Sequence, residues 1–109
     1  MKTISAQELK NLKENESPFL VDVRTGPERL EGRLEDHLWI SMDEIMDRAG
    51  EIPKDQPVYV YCRSGNRSGQ VVAHLATQGF ENLINVAGGI IEYEQVGGII
   101  VRGSLEDSE

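Results

Sequence analysis

The sequence predicts a single α/β domain with a mainly parallel sheet, and three observations predict it. Short runs rich in β-branched and aromatic residues recur along the chain, as in Phe19-Leu20-Val21-Asp22-Val23 and Pro57-Val58-Tyr59-Val60-Tyr61. Segments of helical periodicity fall between those runs. The length of 109 residues supports one core and leaves little room for a second.

Taken in order, Ser5 and Glu8 stand at capping-box spacing, so a helix begins near Ala6. The run 19–23 is a strand, and Leu38 to Ile40 is a weaker one. Asp43 to Ala49 reads as a helix whose acidic residues at 43, 44 and 47 form a solvated face. The run 57–61 is a strand. Ser68 to Gln78 reads as a helix, because Val71, Val72, Leu75 and Ala76 repeat at helical spacing and Gly79 ends the pattern. Leu83 to Val86 is a strand candidate and Ile90 to Gln95 a short helical turn. Gly97-Gly98 turns the chain into a last strand candidate, Ile99 to Val101. The folded core therefore spans about 3–102, and 103–109 form a polar, acidic tail.

Nineteen acidic side chains against eleven basic ones leave a formal charge of −8. That balance argues against nucleic acid or an anionic membrane as the main partner. One cysteine excludes an internal disulfide framework and a multi-cysteine metal cluster. The N-terminal residues carry no apolar run suited to export, and no 18-residue apolar stretch predicts a membrane span. A free Cys in such a chain fits the reducing cytoplasm.

The chemistry concentrates in Tyr61-Cys62-Arg63-Ser64-Gly65-Asn66-Arg67-Ser68. An apolar strand runs into Cys62, and a helical pattern starts about six residues later. Ligands of open α/β sheets bind beyond the C-terminal strand ends, which is where Cys62 falls. A strand-to-helix turn gathers backbone N–H groups into one concavity, and Gly65 and Asn66 tolerate the positive φ it needs. Arg63 and Arg67 add positive charge. A helix N-terminus and nearby arginines lower a thiol pKa, each unit favouring the thiolate by about 1.4 kcal/mol. Cys62 is therefore a candidate nucleophile toward an anionic substrate.

Charge placement agrees. No acidic residue occurs between Asp55 and Glu81, and Arg63 and Arg67 give that window +2, so the rest of the chain holds −10. The alternative is that Cys62 is a small buried hydrophobe and the arginines ordinary surface charge. The coincidence of Cys, Gly, Asn and two Arg at one strand-to-helix junction favours the chemical reading.

With these residues in place, the chain resembles the rhodanese family of sulfurtransferases. Cys62-Arg63-Ser64-Gly65-Asn66-Arg67-Ser68 is similar to the active-site loop of its small bacterial single-domain members. Leu20-Val21-Asp22-Val23-Arg24 is similar to the family's strand ending in Asp-Val-Arg, and Asn85-Val86-Ala87-Gly88-Gly89 to the strand and Gly-Gly turn after the catalytic helix. The chain departs from the pattern where Gly32-Arg33-Leu34-Glu35-Asp36-His37 replaces Gly-His-Ile-Pro-Gly-Ala, at Ser41 in place of Pro, and at Tyr93, where Trp is frequent.

The resemblance implies a rhodanese-like domain with a mostly parallel five-stranded sheet flanked by helices on both faces. It implies that the Cys62 thiolate takes sulfur from thiosulfate or a similar small anionic donor. The resulting persulfide would lie among backbone N–H groups from Arg63 to Ser68 and pass its sulfur to cyanide, a thiol or a protein acceptor. Arg63 would help bind the donor, Arg67 would add charge and shape the loop, and no metal or organic cofactor is called for. With no second thiol in the sequence, the acceptor must come from outside.

Three rivals remain. A cysteine phosphatase wants five residues between Cys and Arg, and here four separate Cys62 from Arg67. A Cys–His hydrolase finds no support, because His74 lies about 9 Å along the following helix and nothing in the context of His37 brings it near; both read as surface or packing residues. A sulfur carrier or binding module of the same fold, without turnover, is the rival of another class. Asp22 with Arg24 reads as a fold-supporting ion pair, and Trp39 with Met42 as core packing.

Overall fold

The computed structural model describes residues 1–103. The tail assigned to 103–109 therefore lies outside the described residues except for Gly103. Five strands form one sheet in the order β1-β5-β4-β2-β3, with β1 Lys2–Ser5, β2 Phe19–Asp22, β3 His37–Trp39, β4 Val58–Tyr61 and β5 Leu83–Ala87. All four neighbouring pairs are parallel. Parallel strands need crossover connections, and helices α1 (Ala6–Asn15), α3 (Ile45–Arg48), α4 (Asn66–Ala76) and α5 (Gly89–Gln95) occupy them or follow the last strand, with α2 (Gly26–Glu31) between β2 and β3.

Strand alternation divides the core into two layers. Val21, Val23, Val58, Val60 and Cys62 pack against Ile45, Val71, Val72 and Leu75 on one face. Leu20, Tyr61 and Val86 pack against Ala6 and Leu9 of α1 and Ile90 and Tyr93 of α5 on the other. β4 is thus the central strand, covered on both faces, and Cys62 is the first residue past its C-terminal end.

Two elements were not read from the sequence. β1 is four residues long with its first two side chains exposed, so it shows no apolar pattern. α2 has no buried residue, but its start is the capping box of Thr25 and Glu28, the same spacing that revealed α1. One expected strand is corrected: Ile99 to Val101 does not join the sheet, and only Val101 forms an isolated antiparallel bridge, to Arg33. The Asp43 to Ala49 helix is also corrected, because one α-helical turn sits between 3₁₀ turns at Met42–Glu44 and Ala49–Glu51. Its acidic face is exposed as expected.

The departures from the family pattern have local structural roles. Arg33 is buried at 2% exposure, donates to the carbonyls of Arg29 and Gly103, and exchanges backbone hydrogen bonds with Val101. His37 is half-buried: its Nδ1 lies 2.7 Å from the Leu34 carbonyl and its Nε2 2.9 Å from Arg29 Nη2. Trp39 donates to the Arg24 carbonyl and carries the Arg29 guanidinium over its ring, so it is bound to a polar cluster more than to the core.

Tyr61 joins the central strand to this segment, its buried hydroxyl accepting the Leu34 N–H at 3.2 Å. Tyr61→Phe leaves that N–H without a partner. We expect it to lower folding stability by about 1–3 kcal/mol in urea titrations, with the denaturant slope unchanged.

Candidate active site

Cys62 enters the loop with its side chain only 1% exposed. Its Sγ accepts the Gly65 N–H at 3.1 Å and stands 3.3 Å from Ser68 Oγ. Burial by itself raises the thiol pKa. Hydrogen bonds from the Ser68 hydroxyl and from the N–H groups of Ser68, Gly65 and Ser64 outweigh it, so Cys62 lies below its ordinary value. The stabilisation of the thiolate therefore comes chiefly from hydrogen-bond donors and not from a neighbouring guanidinium.

The loop keeps this shape through two close approaches. Gly65 has φ of +97°, and a Cβ there would stand 3.0 Å from the Gly88 nitrogen and 3.1 Å from the Val86 oxygen. Gly89 begins α5 with φ of +57°, and a Cβ on it would meet the Cys62 carbonyl oxygen at 2.6 Å and the Arg63 carbonyl closer still. With that space open, Ile90 N–H donates to the Cys62 carbonyl at 3.0 Å and Ile91 N–H to the Arg63 carbonyl at 3.2 Å.

The remaining loop residues separate in role. Arg63, Ser64 and Asn66 are exposed at the mouth, and Ser68 is buried beneath it. The Arg63 side chain makes no hydrogen bond or ion pair among the described residues. Arg67 is different: its Nη1 and Nη2 grip both carboxylate oxygens of Glu28 at 2.8 and 2.7 Å. The loop that is free of acidic residues along the chain is thus half neutralised in space. Glu28 also accepts the Thr25 N–H as the α2 capping residue, so one carboxylate ties α2 to the loop. The expected Asp22–Arg24 pair is present at 2.9 Å and fully buried, and Arg24 also donates to the Gly32 carbonyl.

Sequence reasoning missed Glu28 and Asn85. The capping-box spacing of Thr25 and Glu28 could have revealed α2, but nothing local signals a partner 39 residues away. Asn85 projects from β5 and bonds both Ser68 and the Gly65 carbonyl. Neither histidine bonds Cys62: His37 is held by Leu34 and Arg29, and His74 faces Met46. Among the described residues no group of three or more His, Cys, Asp or Glu is placed to hold a metal ion. No helix among them is long and apolar enough to cross a membrane.

A parallel sheet with a buried thiol at the end of its central strand, hydrogen-bonded by the loop that follows, is a domain of the α/β class. The family model for the rhodanese-like domain matches residues 5–95, and the chain belongs to that family. It is 44% identical over 86 residues to a sulfurtransferase of Allochromatium vinosum, covering 79% of this chain and 80% of that one. A thiosulfate sulfurtransferase of Coxiella burnetii is 32% identical over 88 residues, covering 81% and 82%. The crystal structure of a rhodanese-like domain protein from Staphylococcus aureus superposes with a TM-score of 0.83 at 34% identity, over 95% of this chain and all of that one.

The Glu28–Arg67 clamp has a pH signature. The Arg67 fork, aided by the Thr25 N–H, overcomes partial burial and holds the Glu28 carboxyl down at about 2, against an ordinary value of 4.5. A folded-state pKa below the unfolded one stabilises fully above the unfolded value and loses that contribution as pH falls. Folding stability should therefore drop between about pH 4.5 and 2. Glu28→Gln should flatten that segment of the profile when unfolding free energy is measured against pH.

Proposed function

We propose that this protein is a sulfurtransferase that moves sulfane sulfur through a persulfide on Cys62. The observation that carries the reading is the buried Cys62 sulfur, hydrogen-bonded by Gly65 N–H beside the Ser68 hydroxyl, with its pKa lowered. Membership of the rhodanese-like family and the names of the relatives support the same class of reaction.

In the first step the Cys62 thiolate attacks the outer sulfur of thiosulfate. A Cys62–sulfur bond forms, the sulfur–sulfur bond of the donor breaks, and sulfite leaves with its electron pair. In the second step cyanide or a thiolate attacks the terminal sulfur, and the Cys62 thiolate leaves with the electrons of that bond. Charge balances in both steps, and no oxidant or metal enters. Gly65 and Ser64 N–H groups lie where they can stabilise anionic sulfur without reorganising, as donors of an oxyanion hole do. Arg63, exposed and unpaired among the described residues, meets the anionic donor at the mouth. Arg67, held by Glu28, fixes the loop to α2.

Thiosulfate should add one sulfur atom to the intact protein in mass spectra, and Cys62→Ser should add none. Equal loading of the two proteins would exclude the reaction. Arg63→Ala should raise KM for thiosulfate more than it lowers kcat in the cyanide assay. Comparing thiosulfate with mercaptopyruvate, and cyanide with small thiols, identifies donor and acceptor. Rapid loading followed by transfer only to a protein thiol would mark a sulfur carrier.

A further inference from the structure

Asn85 is 7% exposed and hydrogen-bonds two loop residues but not the sulfur. Its Nδ2 donates to the Gly65 carbonyl at 3.1 Å, and its Oδ1 accepts from Ser68 Oγ at 2.6 Å. A carbonyl oxygen can only accept, so the Gly65 carbonyl requires the nitrogen of the amide to face it. That orientation turns Oδ1 toward Ser68. The Ser68 hydroxyl has one proton, and two acceptors compete for it: Asn85 Oδ1 at 2.6 Å and Cys62 Sγ at 3.3 Å.

The two protonation states of Cys62 place opposite demands on that proton. While Cys62 is a thiol, its S–H can point to the Ser68 oxygen, and the Ser68 proton rests on Asn85. One unbroken chain of donors then runs from Sγ through Ser68 and Asn85 to the Gly65 carbonyl. When Cys62 ionises, a Ser68 lone pair aimed at the sulfur becomes repulsive. The hydroxyl must rotate its proton to Sγ, which strips the buried Asn85 oxygen of its donor. An unmet buried acceptor is costly, so the amide resists the rotation.

We propose that Asn85 is a positioning residue that sets which way the Ser68 proton points, and thereby restrains the Cys62 sulfur from becoming a full thiolate until a reaction demands it. No bond between heavy atoms changes in the rotation: the Ser68 proton stays on its oxygen, and the thiol proton leaves to solvent. The other charged groups around the loop are Arg67 on α4 with its partner Glu28 on α2, Arg63 at the mouth, and Asp22 with Arg24 at the end of β2. All are unaltered in the variants below.

This inference rests on Cys62 being the nucleophile, but its readout needs no sulfur donor, so it can fail or hold independently of sulfur transfer. The chain holds one cysteine, so thiolate ultraviolet absorbance and the pH profile of iodoacetamide alkylation report Cys62 alone. Asn85→Ala frees the Ser68 proton for the sulfur and should raise the acid dissociation constant of Cys62 by about tenfold, one pKa unit. Ser68→Ala should shift it the opposite way. With Ser68→Ala already present, Asn85→Ala should move it no further. A fall or no change on Asn85→Ala alone, or an equal shift in both backgrounds, would overturn the proposal. Thermal melting checks that each variant is folded, and Asn85→Val suits the strand if alanine does not fold. If neither folds, the wild-type protein serves: the Asn85 side-chain amide resonances should titrate with Cys62 and cease to do so in Ser68→Ala, and their indifference to Cys62 ionisation would equally overturn it.

Discussion

Two carbonyl oxygens at the end of the central strand set the direction of everything around the sulfur. Those of Cys62 and Arg63 are taken up by the N–H groups of Ile90 and Ile91, and this requires residue 89 to have no side chain. A trans peptide plane carries its carbonyl and its N–H on opposite sides. Turning the Arg63 carbonyl toward α5 therefore turns the Ser64 N–H toward the site, where it joins Gly65 in favouring the anionic sulfur. Gly65 completes the arrangement with a positive φ that brings the loop against the turn after β5. The first turn of α5 thus acts as the back wall of the loop, and the sulfur occupies the side left open.

Electrostatics follows from that geometry and differs from the distribution along the chain. The 56–80 window holds two arginines and no carboxylate, which suggests two equivalent cations beside the thiol. Folding brings Glu28 onto one of them. Arg67 becomes half of a two-pronged clamp that fixes loop geometry, and Arg63 alone stays available to an anion at the mouth. In the proposed reaction a buried thiolate must be stabilised and an anionic product released, a task to which two unpaired guanidiniums would add little. N–H dipoles supply stabilisation at short range without a strong long-range field.

The sequence made the parallel α/β class legible because the strands that carry the site are buried on both faces and read as continuous apolar runs. β2 and β4 are such strands, and the run into Cys62 placed that thiol at the end of the central strand. Elements that bury little were illegible for the same reason. β1 is half-exposed, and α2 buries nothing, so neither writes an apolar pattern. Ile99 to Val101 carries the pattern of a strand, but it spends one backbone bridge on Arg33 and leaves Ile99 largely exposed. In the site, the residues contiguous with Cys62 were visible, whereas Glu28 and Asn85 reach it through tertiary contacts. Asn85 lay in plain view within a family-like motif, but only the position of its amide between Ser68 and Gly65 gives it a role.

Burial of the thiol also bears on how the two halves of the proposed reaction can use one atom. At 1% exposure the Cys62 thiol is buried beneath the loop. In the proposed persulfide the reactive atom would be not Sγ but its neighbour, one S–S bond of about 2 Å away. Arg63, Ser64 and Asn66, all exposed, form the rim of the loop above the thiol. In the proposed reaction the donor would have to reach the buried Sγ, whereas the acceptor would have to reach only the outer sulfur. With no second cysteine in the sequence, no thiol of this chain could intercept the proposed persulfide, and its lifetime would depend on the loop N–H groups that stabilise it.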